Sequence, residues 1–183
     1  MAVLIVFLFL LIVWTVFITV QFYNITFRGF APFISSEGQT IQAIMQTLKE
    51  MPIRPDAQVF ELGCGQAGFL RAFEDIYPAA RLMGVEYSLL PLLLAKFQTS
   101  LKKSRISFRR ENLFHTDLRA ADIIYCYLND TMMEKLKEKF QAECRPGTLI
   151  ISNTFSLPGW PAKKVIPPIG WMKGKIYFYE VGA

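Results

Sequence analysis

The stretch Val59-Phe60-Glu61-Leu62-Gly63-Cys64-Gly65-Gln66-Ala67-Gly68-Phe69-Leu70 runs from β-forming apolar residues through an acid into three closely spaced glycines, then into residues with helical periodicity. A buried parallel strand that turns sharply into a helix beneath a bound nucleotide has this form. Glycine is needed in such a turn because a Cβ would block the bend and hold the ligand off the backbone.

On these residues alone two readings stay open. From Gly63 the stretch fits the G-x-G-x-x-G of a dinucleotide-binding fold. From Glu61 it fits E-x-G-x-G-x, the first motif of S-adenosylmethionine (SAM)-dependent methyltransferases. That motif usually has a third glycine at the position of Ala67, and here the glycine comes one place later, at Gly68. A glycine-rich turn with no ligand is the plain alternative.

The chain has 183 residues, a formal net charge of +5 and 52% hydrophobic residues, enough for one domain and not two. The apolar fraction is raised by Ala2 to Val20, which only Thr15 and Thr19 interrupt. A run of roughly 20 such residues is long enough to cross a bilayer as a helix. A cleaved signal peptide would need a basic start, a shorter apolar core and a small-residue cleavage site. No Lys or Arg precedes the run and no such site follows, so an uncleaved anchor over residues 1–23 is expected. Phe22 and Tyr23 suit its exit interface, and the positive charges from Arg28 onward place the remaining domain on the cytoplasmic side, or its organellar equivalent. Residues 24–36 read as a linker or lid, and 37–183 as the catalytic domain. Cys64, Cys126 and Cys144 are widely spaced and form no C-x-x-C, so neither a disulfide framework nor a metal site is expected. His115 is the single histidine, and nothing beside it builds a nucleophilic triad.

Farther along, Gly29 to Ser36 is marked as a linker by Gly and Pro, yet Phe30, Phe33 and Ile34 are apolar enough to dock. Ser36 with Gln39 predicts a capping box opening a helix to about Met51, with Ile41, Ile44, Met45 and Leu48 inward. A strand over Gln58–Leu62 precedes a helix over Gln66–Tyr77. A second strand, Arg81 to Glu86, ends in an acid. Ser88 is expected to cap a helix that tolerates Pro91 in its first turn and runs to about Ser100. Ile106–Phe108 and Asp122–Tyr127 read as strands, and Thr131 with Glu134 as the capping box of a helix burying Met132, Met133, Leu136 and Phe140. Thr148–Ser152, Lys163–Ile166 and Lys175–Val181 complete the strands. Alternating strands and helices predict an α/β, doubly wound, mostly parallel seven-stranded Rossmann-like sheet. The last two strands, with no helix between them, predict an antiparallel edge. That edge favours the methyltransferase sheet, as does the lack of residues for the second domain that dehydrogenases use.

With these elements in place, the chain resembles the class I SAM-dependent methyltransferases, and more narrowly the small membrane-anchored protein-lysine methyltransferases acting on the ATP synthase c-subunit and adenine nucleotide translocase. The resemblance rests on the N-terminal span, Ala31–Ser36, Glu61-Leu62-Gly63-Cys64-Gly65, Gly84-Val85-Glu86, Asn112-Leu113-Phe114, Tyr125 to Leu128 and Phe155 to Trp160. Departures are Ala67, and Ser35-Ser36-Glu37 where many relatives have a Pro-Thr-Pro-like run.

The resemblance implies SAM as methyl donor. Glu86 would accept both ribose hydroxyls, as a carboxylate closing a strand can. Gly63, Gly65 and Gly68 would let the backbone approach the ligand, beside Cys64 and Tyr87. Glu61 would organise the turn and reach the ligand's amino group. Asn112 and Leu113 would flank the adenine. Methyl transfer is a displacement at carbon that needs positioning more than acid–base groups, so a missing catalytic histidine costs little. Tyr127, Asn129 and Asp130 are the catalytic candidates at the acceptor channel, with Phe33, Ser35, Phe155 and Trp160 as substrate-binding residues. For each, ordinary core packing or helix capping is the competing explanation. The expected function is N-methylation of a lysine on a membrane-associated protein, with the bilayer engaged through the N-terminal helix and no nucleic-acid partner. A phospholipid amine or another lipid-soluble acceptor is the runner-up, and an idle SAM-binding membrane scaffold the third reading. Lys102-Lys103-Arg105, Arg109-Arg110 and Lys163-Lys164 suit anionic headgroups or simple solvation.

Overall fold

A computed structural model describes residues 1–28, 38–168 and 174–182. The chain divides into two compact units, Met1–Phe33 and Ile34–Ala183. The first is helix α1, Ala2–Arg28. At 1.5 Å per residue its 27 residues reach about 40 Å. Ala2–Val20 is long and apolar enough to cross a membrane. Both hydroxyls in that span are satisfied within the helix: Thr15 Oγ1 donates to the Leu11 carbonyl at 2.8 Å and Thr19 Oγ1 to the Thr15 carbonyl at 2.9 Å. Internal pairing of this kind is what a hydrocarbon environment demands. The helix runs five residues past Tyr23, into the segment expected as linker.

The second unit is built on seven strands: β1 Gln58–Leu62, β2 Arg81–Val85, β3 Ser107–Arg109, β4 Ile123–Cys126, β5 Leu149–Asn153, β6 Lys164–Ile166 and β7 Ile176–Glu180. Their order across the sheet is β3-β2-β1-β4-β5-β7-β6. The pairs from β3 to β5 are parallel, and β7 lies antiparallel between β5 and β6. This is the expected seven-stranded, mostly parallel sheet with an antiparallel edge. β1, β4 and β5 read as near-continuous apolar runs because both their faces are covered; all of β4 is buried.

The helices of this unit are α2 Gly38–Lys49, α3 Gly68–Ile76, α4 Leu89–Leu101 and α5 Asp130–Glu143. Side-chain alternation along β4 shows which face each covers. Tyr125 stacks on Phe69 of α3, ring centroids 4.2 Å apart, in a core with Ile44 and Leu48 of α2 and Phe73 of α3. Its neighbour Cys126 points the other way, its Sγ 3.7 Å from Met133 Sδ of α5. On α5, Met132, Met133, Leu136 and Phe140 are buried as the spacing predicts. The capping differs: Asn129, not Thr131, caps α5, its side chain accepting from the Met132 N–H at 2.9 Å. An amide two residues earlier wins because it closes the turn directly after β4. Ser36 of the other expected capping box lies outside the described residues.

At the amino ends of β1, β4 and β5, Asp122 draws the sheet together. It accepts from the Gln58 N–H at 2.8 Å, from Arg54 at 2.7 Å and from Arg145 at 3.2 Å. The opposite, carboxyl end is where the strand order reverses between β1 and β4, the place where open α/β sheets bind ligands.

Candidate active site

Strand register aligns Leu62 of β1 with Val85 of β2 and with Cys126 of β4. Gly63, Glu86 and Tyr127 are therefore the next residues out on three neighbouring strands, and the sheet brings them to one rim. Gly63 has φ 70 and Gly65 φ 51, left-handed values that glycine adopts without strain. A Cβ on Gly63 would come 2.8 Å from Leu128 Cδ2. The turn is pinned to β2 by the Gly63 and Cys64 N–H groups, both donating to the Val85 carbonyl at 2.9 Å.

Glu86 clasps the same turn. Its carboxylate accepts from the Gly65 N–H at 3.1 Å and from the Ser88 N–H at 2.7 Å. A carboxylate offers about four acceptor positions, so two remain for a diol such as a ribose. The sequence predicts Ser88 as the cap of α4. It occupies the capping position but its side chain makes no capping bond, and its backbone N–H serves Glu86 instead. That role is visible in sequence only as an acid three residues before a helix start.

The third glycine position behaves unexpectedly. The left-handed conformation the motif demands falls on Ala67, at φ 57 and ψ 40. Gly68 is the first residue of α3, and a Cβ there would lie 3.3 Å from Ile41 Cδ1 of α2. Its bare backbone thus serves the α2–α3 approach. Alanine cannot cap a helix with its side chain, and Glu61 fills that role from β1: its Oε2 accepts from the Leu70 N–H at 3.3 Å. Glu61 is 5% exposed. Burial pushes its carboxyl up to about 8, while the Leu70 N–H and Arg71 pull it down and Glu86 adds to the rise. Burial, with Glu61 and Glu86 close by, also drives the Cys64 thiol far up, so it is a neutral packing group. It fills the notch left by Gly84, where a Cβ would be 2.9 Å from its Sγ. The acids Glu61 and Glu86 thus flank the glycine turn from β1 and from the end of β2.

Asn112 and Leu113 follow β3. Asn112 Oδ1 accepts from the Phe114 N–H at 3.1 Å, holding a short 3-10 turn, Leu113–His115, and Leu113 is buried. Tyr87 is 43% exposed beside Glu86, and its carbonyl accepts from Arg110 Nε. Tyr127 is half-buried, Asn129 caps α5, and Asp130 is exposed in that helix's first turn. Phe155 is half-buried just past β5, its carbonyl accepting from Ser152 Oγ. Trp160 lies in the loop between β5 and β6. Its ring lies against Tyr179, centroids 6.0 Å apart. Tyr179 pairs with Ile150, three residues back from Asn153 at the end of β5, or about 10 Å along the strand. The loop folds back because the Leu157 N–H donates to the Tyr179 hydroxyl at 2.9 Å. Phe33 and Ser35 lie outside the described residues. No group of three or more metal-ligating side chains occurs among the described residues.

A family model described as the ANTKMT methyltransferase domain matches residues 61–164. A protein-lysine N-methyltransferase of Saccharolobus islandicus (strain REY15A) is 26% identical over 154 residues, 82% of this chain and 94% of that protein. The adenine nucleotide translocase lysine N-methyltransferase of Mus musculus is 21% identical over 173 residues, 92% of this chain and 71% of that protein. An RNA methyltransferase from Salinibacter ruber, solved with S-adenosyl-L-homocysteine, superposes with a TM-score of 0.71 at 18% identity, covering 81% of this chain and 94% of that one. At that identity the likeness is one of fold.

Proposed function

The chain belongs to the ANTKMT methyltransferase domain family and is a SAM-dependent methyltransferase, and from that premise we propose that it methylates the Nζ of a lysine on a membrane-associated protein. The observation that carries the donor half is the rim of Gly63, Glu86 and Tyr127, with Glu86 fastened to the Gly65 N–H. Glu86 holds the ribose, Gly63 and Gly65 let the backbone meet the methionine portion, and Glu61 attracts its ammonium. Asn112 and Leu113 border the adenine, beside Tyr87. When bound, SAM supplies a methyl group on a sulfonium: the S–C bond breaks as the N–C bond forms, leaving a neutral thioether.

The acceptor half draws on the lysine-directed relatives. Asp130, exposed in the first turn of α5, receives the incoming ammonium. A free lysine has a pKa near ~10.4, and only its neutral form attacks carbon. Desolvation between Tyr127 and Phe155 favours loss of that proton before transfer. The apolar helix Ala2–Val20 suits a single-pass anchor, with the positive charges beyond it placing the catalytic unit on the cytoplasmic side or its organellar equivalent.

Incubating the protein with native membranes and methyl-labelled SAM tests this. We expect label in a protein band, with methyl-lysine found by mass spectrometry, and a rate that climbs with pH toward lysine deprotonation. Label confined to the lipid extract would replace lysine by a phospholipid amine.

A further inference from the structure

Helix α4 is apolar on the side left exposed among the described residues. Its inner face, Pro91, Leu92, Ala95 and Thr99, is buried. Leu89, Leu90, Leu93, Leu94, Phe97 and Leu101 are exposed, Phe97 by 62% and Leu101 by 70%. At about 100° per residue these six fall within roughly 140° of arc, one continuous stripe. Six large apolar side chains on one solvent face exceed the scattered exposure of ordinary surfaces and mark a contact.

Charge identifies the contact. From Tyr87 to Arg110 the sequence has no Asp or Glu and six cations: Lys96, Lys102, Lys103, Arg105, Arg109 and Arg110. All six are exposed, and among the described residues none is in an ion pair. The whole chain nets only +5, so this one segment outweighs the sum of all the others. An apolar stripe bordered by unpaired Lys and Arg fits the interface of an anionic bilayer, where Leu and Phe enter the acyl boundary and the cations meet headgroup phosphates.

We propose that α4 lies in the membrane interface as a second, in-plane contact of this protein with an anionic bilayer. The first turn of α4 follows Glu86 by three residues, so the contact keeps the donor rim at the level of the bilayer surface, within reach of acceptors near it. Because each cation near the surface adds to the attraction, the contact weakens with salt and with loss of anionic lipid.

The test uses the full chain reconstituted into vesicles, with an environment-sensitive fluorophore on F97C or, as control, on Q141C at an exposed position of α5. The native cysteines are buried and do not compete for label. In phosphatidylcholine vesicles containing phosphatidylglycerol, lipid-borne doxyl groups should quench the Phe97-site probe several-fold more than the Gln141-site probe. K102E/K103E/R105E should cut that quenching at least two-fold with an unchanged melting temperature. Equal quenching at the two sites overturns the proposal, as does equal quenching of the Phe97-site probe in neutral and anionic vesicles. Shielding of that probe that instead rises with protein concentration in lipid-free detergent also overturns it, by giving the stripe to a second copy.

Discussion

At the residue scale, Glu86 and Glu61 divide the work of one rim. Glu86 organises the turn through the Gly65 and Ser88 N–H groups and has acceptor capacity left for the ribose. Hydrogen bonds to a charged group contribute roughly 1.5–3 kcal/mol each. Glu86→Ala should therefore weaken SAM binding by about 100-fold in calorimetry; an unchanged affinity would remove the ribose from this site. Glu61 makes a different prediction. Its carboxyl is raised to about 8, so the folded protein holds a proton there that the unfolded chain releases near ~4.3. Stability from this group is greatest at low pH and falls as pH rises through that window. A cationic donor favours the ionised form, so binding at pH 7 should release up to about one proton. Calorimetry in two buffers of different ionisation enthalpy will show it as a difference in heat, absent in Glu61→Gln. Identical heats in both buffers would separate Glu61 from the ligand. Ala67 shows where residue-level reading stops: the motif foretells a left-handed position, but not that alanine would occupy it at φ 57 while Gly68 goes to helix packing.

At the scale of elements, the strands were legible because their signals are local. β1 is found over Gln58–Leu62 as its apolar run predicts, and the inward faces of α3 and α5 follow their 3.6-residue period. Helix ends were less so. Asn129, Thr131 and Ser88 are all capping types, and only the path of the chain off the sheet selects which one caps. The path of the loop after β5 was not legible either, since it is held by a hydrogen bond between residues 22 apart in sequence. Nor was the role of Asp122, which the sequence shows only as the first residue of an apolar strand. Burial works against its charge, but the Gln58 N–H, Arg54 and Arg145 together hold its carboxyl below the usual range. That sign means the contribution is complete above the unfolded value and is lost as pH falls through the folded one. Both arginines are more than half exposed, so screening limits the effect. Asp122→Asn should cost about 1 kcal/mol at pH 7, with the two proteins converging in urea unfolding toward pH 3. A constant gap across that range would show that shape, not charge, joins β1, β4 and β5.

For the whole molecule, what matters is that the residues assigned to the donor and the apolar helix proposed as an anchor belong to separate compact units. Every group assigned to the donor, from Glu61 to Leu113, lies within Ile34–Ala183, while the residues long and apolar enough to span a bilayer lie in Ala2–Val20. An anchor of that kind adds no catalytic group. As an anchor it would confine enzyme and acceptor to one surface, where linked binding can strengthen an encounter by about 10²–10⁴ when the geometry permits. Removing Met1–Arg28 should then leave SAM affinity unchanged and the rate on a soluble lysine peptide within about two-fold, while slowing methylation of a bilayer-embedded acceptor by at least ~10-fold. Rates on both acceptors, measured side by side for the full and shortened chains, check this. Equal slowing on peptide and membrane acceptor would mean that the first unit supports catalysis itself. Equal rates throughout would leave the apolar helix without a part in substrate selection.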